Sequence, residues 1–290
     1  MAHIYIEKGP VPESLGKSDF TDLYLAFMDA FRDYQPRVQM TLAAFCRKFI
    51  DFYQTDPNLS SILWYKGRIA GFGLVSTGIV NGRNTAWVSA LGVRSEYRKR
   101  GWSHFLVKHI TDKARNWGMD QVSLEAQTRN ESAIALFTSH NFAVNRKLVH
   151  YRLTEPRWIK VDQKKVSIKN YIDIPFDLSV TGKYVFTFQE SISFIESEQK
   201  SHTTFIIKNS EDSPAGYLLM DSDTGRIRHI FVLPRERGQG YGTALIARAC
   251  QMNKHLDMIN VDTENIELCR FLGKMGFRIE MEQYEMILTL

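Results

Sequence analysis

One ordered segment occurs twice in this chain: a strand ending in valine, a charged turn with arginines, a glycine and an apolar helix. It reads VRSEYRKRGWSHFL at residues 93–106 and VLPRERGQGYGTAL at residues 232–245, so that Gly240 follows Gly101 by 139 residues. A repeat of this period is as long as one ordinary domain. We therefore expect two copies of one domain rather than a single large fold.

A second pair of segments repeats at nearly the same displacement. RNESAIALFTSHNF parallels ENIELCRFLGKMGF, and the pairs Asn130 with Asn265 and Phe142 with Phe277 are both 135 residues apart. Landmarks that keep a nearly constant displacement argue for duplication of the whole domain, because a chance match of one loop would not extend so far.

The boundary between the two copies is predicted from the end of the last strand pattern of the first copy. That pattern runs into RLTEPRWIKVDQKK at residues 152–165, a polar stretch that contains a proline. The sequence therefore predicts an N-terminal domain at residues 1–155 and a C-terminal domain at residues 156–290.

The first copy has the pattern of a sheet flanked by helices. HIYIEKG begins as a strand, two helical segments follow, and SSILWYKG, IAGFGLVSTGIV and TAWVSALGV are separated by turn signals as in an antiparallel meander. The helix after Gly101 carries an apolar face that includes Leu106, Ile110 and Ala114. QVSLEAQ, NESAIALFTSHN and FAVNRKLVHYRL complete the copy as a strand, a helix and a closing strand. The predicted class is α/β (α+β), with a mixed, mostly antiparallel sheet in each domain.

The second copy is less legible at its start. Between Val166 and Lys200 only SISFIESEQK has a helical pattern, which predicts a reduced helical layer in this copy. The runs HTTFIIKN, AGYLLMDSD and RIRHIFVL then read as three strands, and YGTALIARACQMNKH, MINVDTE, NIELCRFLGKMG and FRIEMEQYEMILTL as helix, strand, helix and final strand.

Composition limits the classes of protein to which the chain can belong. No apolar run approaches the roughly 20 residues of a membrane span, and no secretory pattern opens the sequence, so we expect a cytoplasmic protein that does not bind membranes. Three dispersed cysteines, Cys46, Cys250 and Cys269, argue against a disulfide framework and a zinc site, and no metal is expected. The net charge of +5 is spread along the chain, which disfavours a nucleic-acid partner and leaves an anionic small ligand compatible. A monomer or a homodimer is expected.

The glycine-rich turn before the helix has the chemistry of a phosphate site. A strand that ends in such a turn and leads directly into a helix collects unpaired N–H groups and the positive end of a helix dipole. Side chains at Gly238, Gly240 and Gly242 would hold a phosphate away, while Arg235 and Arg237 could add charged hydrogen bonds. The alternative is a glycine-rich connector without a ligand. The P-loop and dinucleotide motifs fit poorly, because Tyr241 stands where a P-loop has lysine.

These segments resemble the GNAT (Gcn5-related) N-acetyltransferases. The phosphate signature of that family is Arg/Gln-x-x-Gly-x-Gly/Ala after a strand ending in Leu/Ile-x-Val, and IFVLPRERGQGYG matches it throughout. LGVRSEYRKRGWS matches it in the first copy except at Ser103, where glycine or alanine is usual, so the second copy is the stronger cofactor site. The later family element, an asparagine before a helix that ends at a phenylalanine, is present in both copies, and members with two domains in tandem exist.

The resemblance implies an acetyl-CoA-dependent N-acetyltransferase. In the family the fourth and fifth strands splay apart around the pantetheine arm, the pyrophosphate sits on the glycine turn, and a backbone N–H near Val93 or Val232 polarises the thioester carbonyl. The acceptor would be an amine of a small molecule or a peptide. The residues implied to bind acetyl-CoA are Ile230, Val232, Arg237, Gly238, Gln239, Gly240, Tyr241, Gly242 and Asn265 in the second copy, and Leu91, Val93, Arg98, Lys99, Arg100, Gly101, Trp102, Ser103 and Asn130 in the first.

The positions at which the family usually carries its catalytic groups hold other residues. Phe137 and Leu272 stand where many members have a tyrosine acid, and Trp87 and Arg226 stand where many have a carboxylate. The substitutes predicted for catalysis are His229 and Tyr284, and further candidates are Asp262 and Glu264 in the second copy and Glu125, His150 and Tyr151 in the first. Each of these could equally be a half-buried structural residue.

Two other functions stay open at this point. One is a non-catalytic acyl-CoA-binding or sensing protein with one or both domains degenerate, which the vacant catalytic positions favour. The other is a nucleic-acid-binding module, which lacks the interleaved aromatic and basic residues that such a surface needs. The acceptor, the active domain and the general acid and base cannot be read from the sequence.

Overall fold

The computed structural model describes residues 9–15, 20–35, 37–154, 166–176, 185–198 and 200–290. The chain divides into two compact units. Unit 1 comprises the described residues of Met1–Ala126, Asn130–Val144 and Met286–Leu290, and unit 2 those of Gln127–Arg129 and Asn145–Glu285. The predicted opening strand HIYIEKG and the predicted join between the domains fall largely outside the described residues.

Unit 1 begins with a short strand and two helical segments and continues into a sheet. Its elements are β1 (Val11–Glu13), α1 (Phe20–Ala30), α2 (Leu42–Phe45) continued by a π-helix (Cys46–Phe52), β2 (Ser61–Tyr65), β3 (Arg68–Val80), β4 (Arg83–Val93), α3 (Trp102–Asn116), β5 (Gln121–Gln127) and α4 (Glu131–Thr138). The strands lie in the order β1-β2-β3-β4-β5. Strands β2, β3 and β4 pair antiparallel, which confirms the predicted meander, and β4 pairs parallel with β5.

Unit 2 repeats this arrangement. Its elements are β6 (Ala143–Leu153), β7 (Val166–Lys169), a 3-10 turn (Phe188–Glu190), α5 (Ile192–Ser197), β8 (His202–Lys208), β9 (Pro214–Asp221), β10 (Ile227–Val232), α6 (Tyr241–Met252), β11 (Leu256–Asp262), α7 (Ile266–Met275) and β12 (Arg278–Thr289). Strands β10-β9-β8-β7 form one antiparallel sheet. The helix predicted within SISFIESEQK is confirmed as the short helix α5.

Strand β6 closes the first sequence repeat, yet most of it belongs to unit 2. It pairs antiparallel with β11, with Leu153 opposite Leu256 and Leu148 opposite Asp262. Val149, Tyr151 and Leu153 are buried in the same apolar core as Leu256. The apolar side chains on one face of β6 therefore complete the core of unit 2.

Each unit carries a β-bulge at the same place in the repeat. The register of β4 against β3 skips Ser89, and the register of β10 against β9 skips Arg228, which follows Ser89 by 139 residues. A bulge increases local twist and turns a strand away from its neighbour.

The strand pair that frames the candidate site diverges next to each bulge. In unit 1 the parallel pairing of β4 and β5 extends to Trp87 opposite Ser123. In unit 2 a single parallel bridge joins Arg226 to Asp257 at the start of β10 and β11. The bulge follows each of these last contacts directly. In unit 2 the remainder of β10 is therefore free to diverge from β11 and leave a gap between them.

Candidate functional site

The glycine loop of unit 2 connects β10 to α6. A 3-10 turn at Pro234–Glu236 leads to Gly238 at φ +79° and Gly240 at φ +82°, and Gly240 is the N-cap of α6. A Cβ at either glycine would meet no heavy atom within 4 Å, so the backbone angle, and not space, requires glycine there. The first N–H groups of α6 have no acceptor inside the helix and open toward this loop.

Gly242 has a different role from the two glycines before it. Its Cβ would lie 3.1 Å from Cζ of Phe271 on α7. Glycine at this position therefore allows the first turn of α6 to pack closely against α7, which is a structural reason for the third glycine of the motif. In the first repeat the same position is Ser103.

A cavity of about 840 Å³ opens between β10 and β11 in unit 2. Its wall includes the ends of both strands, the glycine loop and the first turns of α6 and α7. Of the residues predicted to bind the cofactor in this copy, the structure brings eight into the wall, namely Ile230, Val232, Arg237, Gly238, Gly240, Tyr241, Gly242 and Asn265. Gln239 is not in the wall, and its Nε2 donates to Glu236 Oε2 at 3.2 Å.

Arg237, the arginine of the glycine motif, is half exposed and faces the cavity. Its Nε donates to the carbonyl oxygen of Val232 at 3.2 Å, and its Nη1 pairs with Glu267 on α7. These contacts hold the guanidinium beside the glycine loop. Exchange of the exposed Glu267 carboxylate for a phosphate would keep the charge of Arg237 paired.

Both asparagines of the repeat cap a helix. Asn265 Oδ1 accepts a hydrogen bond from Leu268 N at 3.2 Å, and Asn130 Oδ1 accepts one from Ala133 N at 3.2 Å. This N-cap role accounts for the residue type. Asn265 also lines the cavity, so capping and ligand contact are compatible at this position.

The two predicted catalytic residues do not line the cavity. His229 is buried, with Nε2 2.8 Å from the carbonyl oxygen of Glu190 and Nδ1 3.4 Å from the Tyr217 hydroxyl. Burial lowers the pKa of His229 to about 4, so its ring is neutral near pH 7. Tyr284 is half-buried on β12. The catalytic roles of these two residues stay predictions, and of the other candidates Asp262 and Glu264 lie in the wall.

A buried ionic cluster surrounds the bulge residue Arg228. Its Nε donates to Asp221 Oδ1 at 2.7 Å, its Nη2 to Glu198 Oε2 at 2.6 Å and its Nη1 to the carbonyl oxygen of Gln189 at 3.1 Å. His202 Nε2 lies 3.4 Å from Asp221 Oδ1. Burial lowers the pKa of His202, but the carboxylates of Asp221 and Glu198 outweigh it and raise the pKa to about 9.

The acidic residues of this cluster include groups that could bind a metal ion. Glu198, His202 and Asp221 offer ligand atoms within 4.8 Å of one another. The guanidinium of Arg228 nevertheless occupies both carboxylates, and it carries the positive charge that balances them. Among the residues described, this group is therefore built as an ion-pair cluster that holds β10 at its bulge.

The sequence analysis missed one residue of the cavity wall, Glu190. It lies in the 3-10 turn Phe188–Glu190, and its Oε1 accepts a hydrogen bond from Arg226 Nη2 at 2.6 Å. Burial raises the pKa of Glu190, although Arg226 and Arg228 oppose the shift. The available signal was Arg226 itself, because an arginine in the middle of a buried strand needs a carboxylate partner.

In unit 1 the glycine loop has nearly the same backbone but different contacts. Lys99 takes the place of Gly238 at φ +61°, and Gly101 has φ +77°. Arg98 donates to the carbonyl oxygen of Ala30 at 2.8 Å and to Asp33 Oδ2 at 2.9 Å, which fixes it to the end of α1.

The neighbouring predicted residues of the first copy lie on and around this loop. The guanidinium of Arg100 lies over the rings of Tyr97 and Trp102, and Trp102 and Ser103 are in the first turn of α3. Leu91 and Val93 are in the last part of β4. Loop, strand end and helix start are therefore brought together as in unit 2.

Sequence and structure comparisons place this geometry among known proteins. Residues 20–142 match the family model described as Acetyltransferase (GNAT) family, and residues 177–286 match the one described as Acetyltransferase (GNAT) domain. One curated relative is N-alpha-acetyltransferase MAK3 of Arabidopsis thaliana, 29% identical over 97 residues, which are 33% of this chain and 51% of that protein. The chain thus spans about half the length of this relative.

Two solved structures share the architecture over nearly the whole chain. A tandem GNAT protein from the clavulanic acid biosynthesis pathway superimposes with a TM-score of 0.66 at 14% identity, covering 97% of this chain and 98% of that one. A GCN5-related N-acetyltransferase from Sphaerobacter thermophilus gives 0.67 at 15% identity, covering 97% and 95%. At these identities the likeness shows the fold, an α+β arrangement of two GNAT-like domains in tandem. No helix within the described parts of the chain is long and apolar enough to cross a membrane.

Proposed function

We propose that this chain, which belongs to the GNAT acetyltransferase family through both of its domain matches, is an acetyl-CoA-dependent N-acetyltransferase whose second unit holds the cofactor. Family members use acetyl-CoA to acetylate amines and are classed as EC 2.3.1.-. The observation that supports the assignment to unit 2 is the 840 Å³ cavity that runs from the glycine loop into the gap between β10 and β11.

The glycine loop suits the pyrophosphate of CoA. Gly238 and Gly240 leave the backbone bare, α6 begins at Tyr241, and Arg237 lies beside the loop. A helix N-terminus with exposed amide groups stabilises a phosphate through both hydrogen bonds and the helix dipole. In this proposal Arg237 exchanges its contact with Glu267 for one with phosphate.

The edge of β10 suits the acyl end of the cofactor. Leu233 N donates to the carbonyl oxygen of Ala215 on β9 at 2.9 Å, so the preceding residue, Val232, directs its N–H to the opposite edge of the strand. That edge faces the cavity. The N–H of Val232 is thereby available to polarise the thioester carbonyl as negative charge develops on its oxygen.

Acetyl-CoA supplies an activated acyl group as a thioester. The nitrogen of an amine attacks the carbonyl carbon, the C–S bond breaks, and CoA leaves as a thiolate. The protein contributes orientation, the Val232 N–H and a group that accepts the amine proton. The acceptor is proposed to be an amine of a small molecule or a peptide, and the protein is proposed to act in the cytoplasm as a monomer or homodimer.

The test combines a binding measurement with an activity screen. Calorimetry with CoA and acetyl-CoA is expected to show binding with micromolar affinity, and a thiol-release assay against a panel of small-molecule and peptide amines is expected to identify an acceptor. Absence of heat and of a thermal shift at millimolar CoA would refute the cofactor assignment. Binding without transfer to any amine would instead favour the non-catalytic acyl-CoA-binding protein.

A further inference from the structure

One oxygen of Glu190 is buried in the wall of the cavity without a hydrogen-bond donor. Its Oε1 receives Arg226 Nη2 at 2.6 Å and lies 3.9 Å from Arg228 Nη1. Its Oε2 is inaccessible to solvent, and no donor in the described part of the chain is within hydrogen-bonding distance of it. Glu190 lines the same cavity as the glycine loop.

The rest of Glu190 is held firmly. Its N–H donates to the carbonyl oxygen of Thr187 at 3.2 Å, and its own carbonyl oxygen accepts from His229 Nε2 at 2.8 Å. Together with Arg226, these contacts fix both the backbone and one carboxylate oxygen. A pre-positioned side chain of this kind is typical of a group that acts on a ligand, because little entropy is lost when the ligand arrives.

An unpartnered carboxylate oxygen is costly in a protein interior. Buried polar atoms are nearly always hydrogen-bonded, so an exception calls for a specific reason. An ionised carboxylate can only accept hydrogen bonds, which means that its missing partner is a donor such as an amine N–H. The cavity therefore presents an acceptor oxygen where a GNAT acceptor amine would need one.

We propose that Glu190 is the general base of the acetyl transfer in unit 2, acting through Oε2 on the acceptor amine. This inference rests on the function proposed above. Oε2 takes one proton from the amine nitrogen as that nitrogen bonds to the acetyl carbon and the C–S bond breaks. The proton then returns through solvent to the departing CoA thiolate, so that amine and acetyl-CoA give amide and CoA with atoms and charge balanced.

The surroundings of Glu190 also adjust its proton affinity. Burial favours the neutral carboxyl, whereas Arg226 and Arg228 favour the carboxylate, and the net result is a raised pKa. Asp221 adds to the upward shift. A base must be deprotonated to act, so the rate is expected to rise with pH through this pKa and then to level off.

The role of Arg226 follows from the same geometry. Arg226 stands at the repeat position where many family members have a carboxylate, and it holds Glu190 from a neighbouring segment. The carboxylate has therefore not been lost from the site. It enters from the turn before α5, with an arginine as its positioning residue.

The first experiment compares kinetics at several pH values, using acetyl-CoA and the best amine from the panel. Glu190→Gln removes the base and is expected to lower kcat/KM by about 10²–10³-fold and to abolish its rise at acidic pH. CoA affinity should change less than threefold. Glu190→Asp keeps a carboxylate and is expected to retain the pH-dependent rise at a reduced rate.

Glu198→Gln is the matched control, because Glu198 is a buried carboxylate of the same cluster that lies outside the cavity wall. It is expected to lower the melting temperature at least as much as Glu190→Gln while keeping the acidic rise in kcat/KM. A Glu190→Gln enzyme with kcat/KM within threefold of wild type, or with an unchanged pH profile, would overturn the proposal.

A second readout does not depend on acetyl transfer. Water-soluble carbodiimide with methylamine couples amines to accessible protonated carboxyls, and peptide mass mapping then identifies the labelled residue. Labelling of Glu190 but not Glu198 is expected, and an unlabelled Glu190 would refute an open Oε2. If CoA does not bind at all, the function proposed above fails. If CoA binds, Glu190 is labelled and Glu190→Gln transfers normally, only the base assignment fails.

Discussion

The two units use the same backbone and differ in what fills the point where their strands diverge. In unit 1 the last paired residue is Trp87, whose Nε1 donates to Glu125 Oε2 on β5 at 2.7 Å and whose ring contacts Tyr53 edge-on. In unit 2 the equivalent residue is Arg226, which reaches back to Glu190. The first contact links the two diverging strands to each other. The second leaves the gap between β10 and β11 lined but open.

The arginine of the glycine motif shows the same contrast. Arg98 is bound to the end of α1 by a backbone oxygen and a carboxylate. Arg237 contacts one backbone oxygen and an exposed glutamate, a partner that water or phosphate can replace at little cost. A duplicated motif can therefore keep its shape while one copy serves the fold and the other stays available for a ligand.

The largest expected difference concerns the bulge residues. Arg228→Ala leaves Asp221 and Glu198 buried without their partner, and breaking a buried ion pair in this way costs about 3–5 kcal/mol. Ser89→Ala removes only a 3.3 Å bond to the carbonyl oxygen of Leu74 and should cost about 1 kcal/mol or less. Urea unfolding of both variants measures the difference. Similar losses at the two sites would contradict the structural role given to Arg228.

The second prediction separates the glycine loops. Gly240→Asp places a carboxylate where the pyrophosphate is proposed to bind, and a hundredfold or greater loss of CoA affinity, about 2.7 kcal/mol, is expected. Gly101→Asp should weaken total binding less. Calorimetry measures both, with Gly240→Ala as the control for the positive φ angle.

The outcomes for the loops point in distinct directions. A greater loss from Gly101→Asp would assign the better cofactor site to unit 1. Unchanged affinity in Gly240→Asp would remove the phosphate role from the loop, and a collapsed melting transition would mean that this glycine serves the fold.

The third prediction is a pH dependence of unfolding that belongs to unit 2. The pKa of His202 rises from about 6.5 in the unfolded chain to about 9, so its stabilisation is full below pH 6.5 and is lost as the pH rises through 9. The loss should reach about 2–3 kcal/mol. Thermal melts between pH 6.5 and 10 test this, and His202→Gln should flatten the slope. A slope that persists in His202→Gln would assign it to another group.

The smallest expected effect concerns Lys99. A lysine at φ +61° is strained in the left-handed region, where Gly238 is not. Lys99→Gly should raise the melting temperature slightly, by up to about 1 kcal/mol of stability, because relief of strain exceeds the entropy cost of glycine. The reciprocal Gly238→Lys should lower stability by a similar amount. Destabilisation by Lys99→Gly would show that the lysine side chain makes a compensating contact.

Several features followed from the sequence because their causes are local. The positive φ angles of Gly101 and Gly240 and the N-caps at Asn130 and Asn265 depend on residues within a few positions of one another. The displacement of the repeat indicated two domains, and the family matches confirm them. The boundary near residue 155 stays a prediction.

The remaining features depend on partners far apart in the chain. Glu190 meets Arg226 across 36 positions, and Arg228 meets Glu198 across 30. No periodicity marks such pairs, because a buried charge is satisfied by whichever element the fold brings beside it. The same holds for β6, whose apolar face reads equally well for either copy until the core with Leu256 is formed. The sequence by itself determined two domains and two glycine loops, whereas tertiary packing decided which loop opens onto a cavity and which carboxylate faces it.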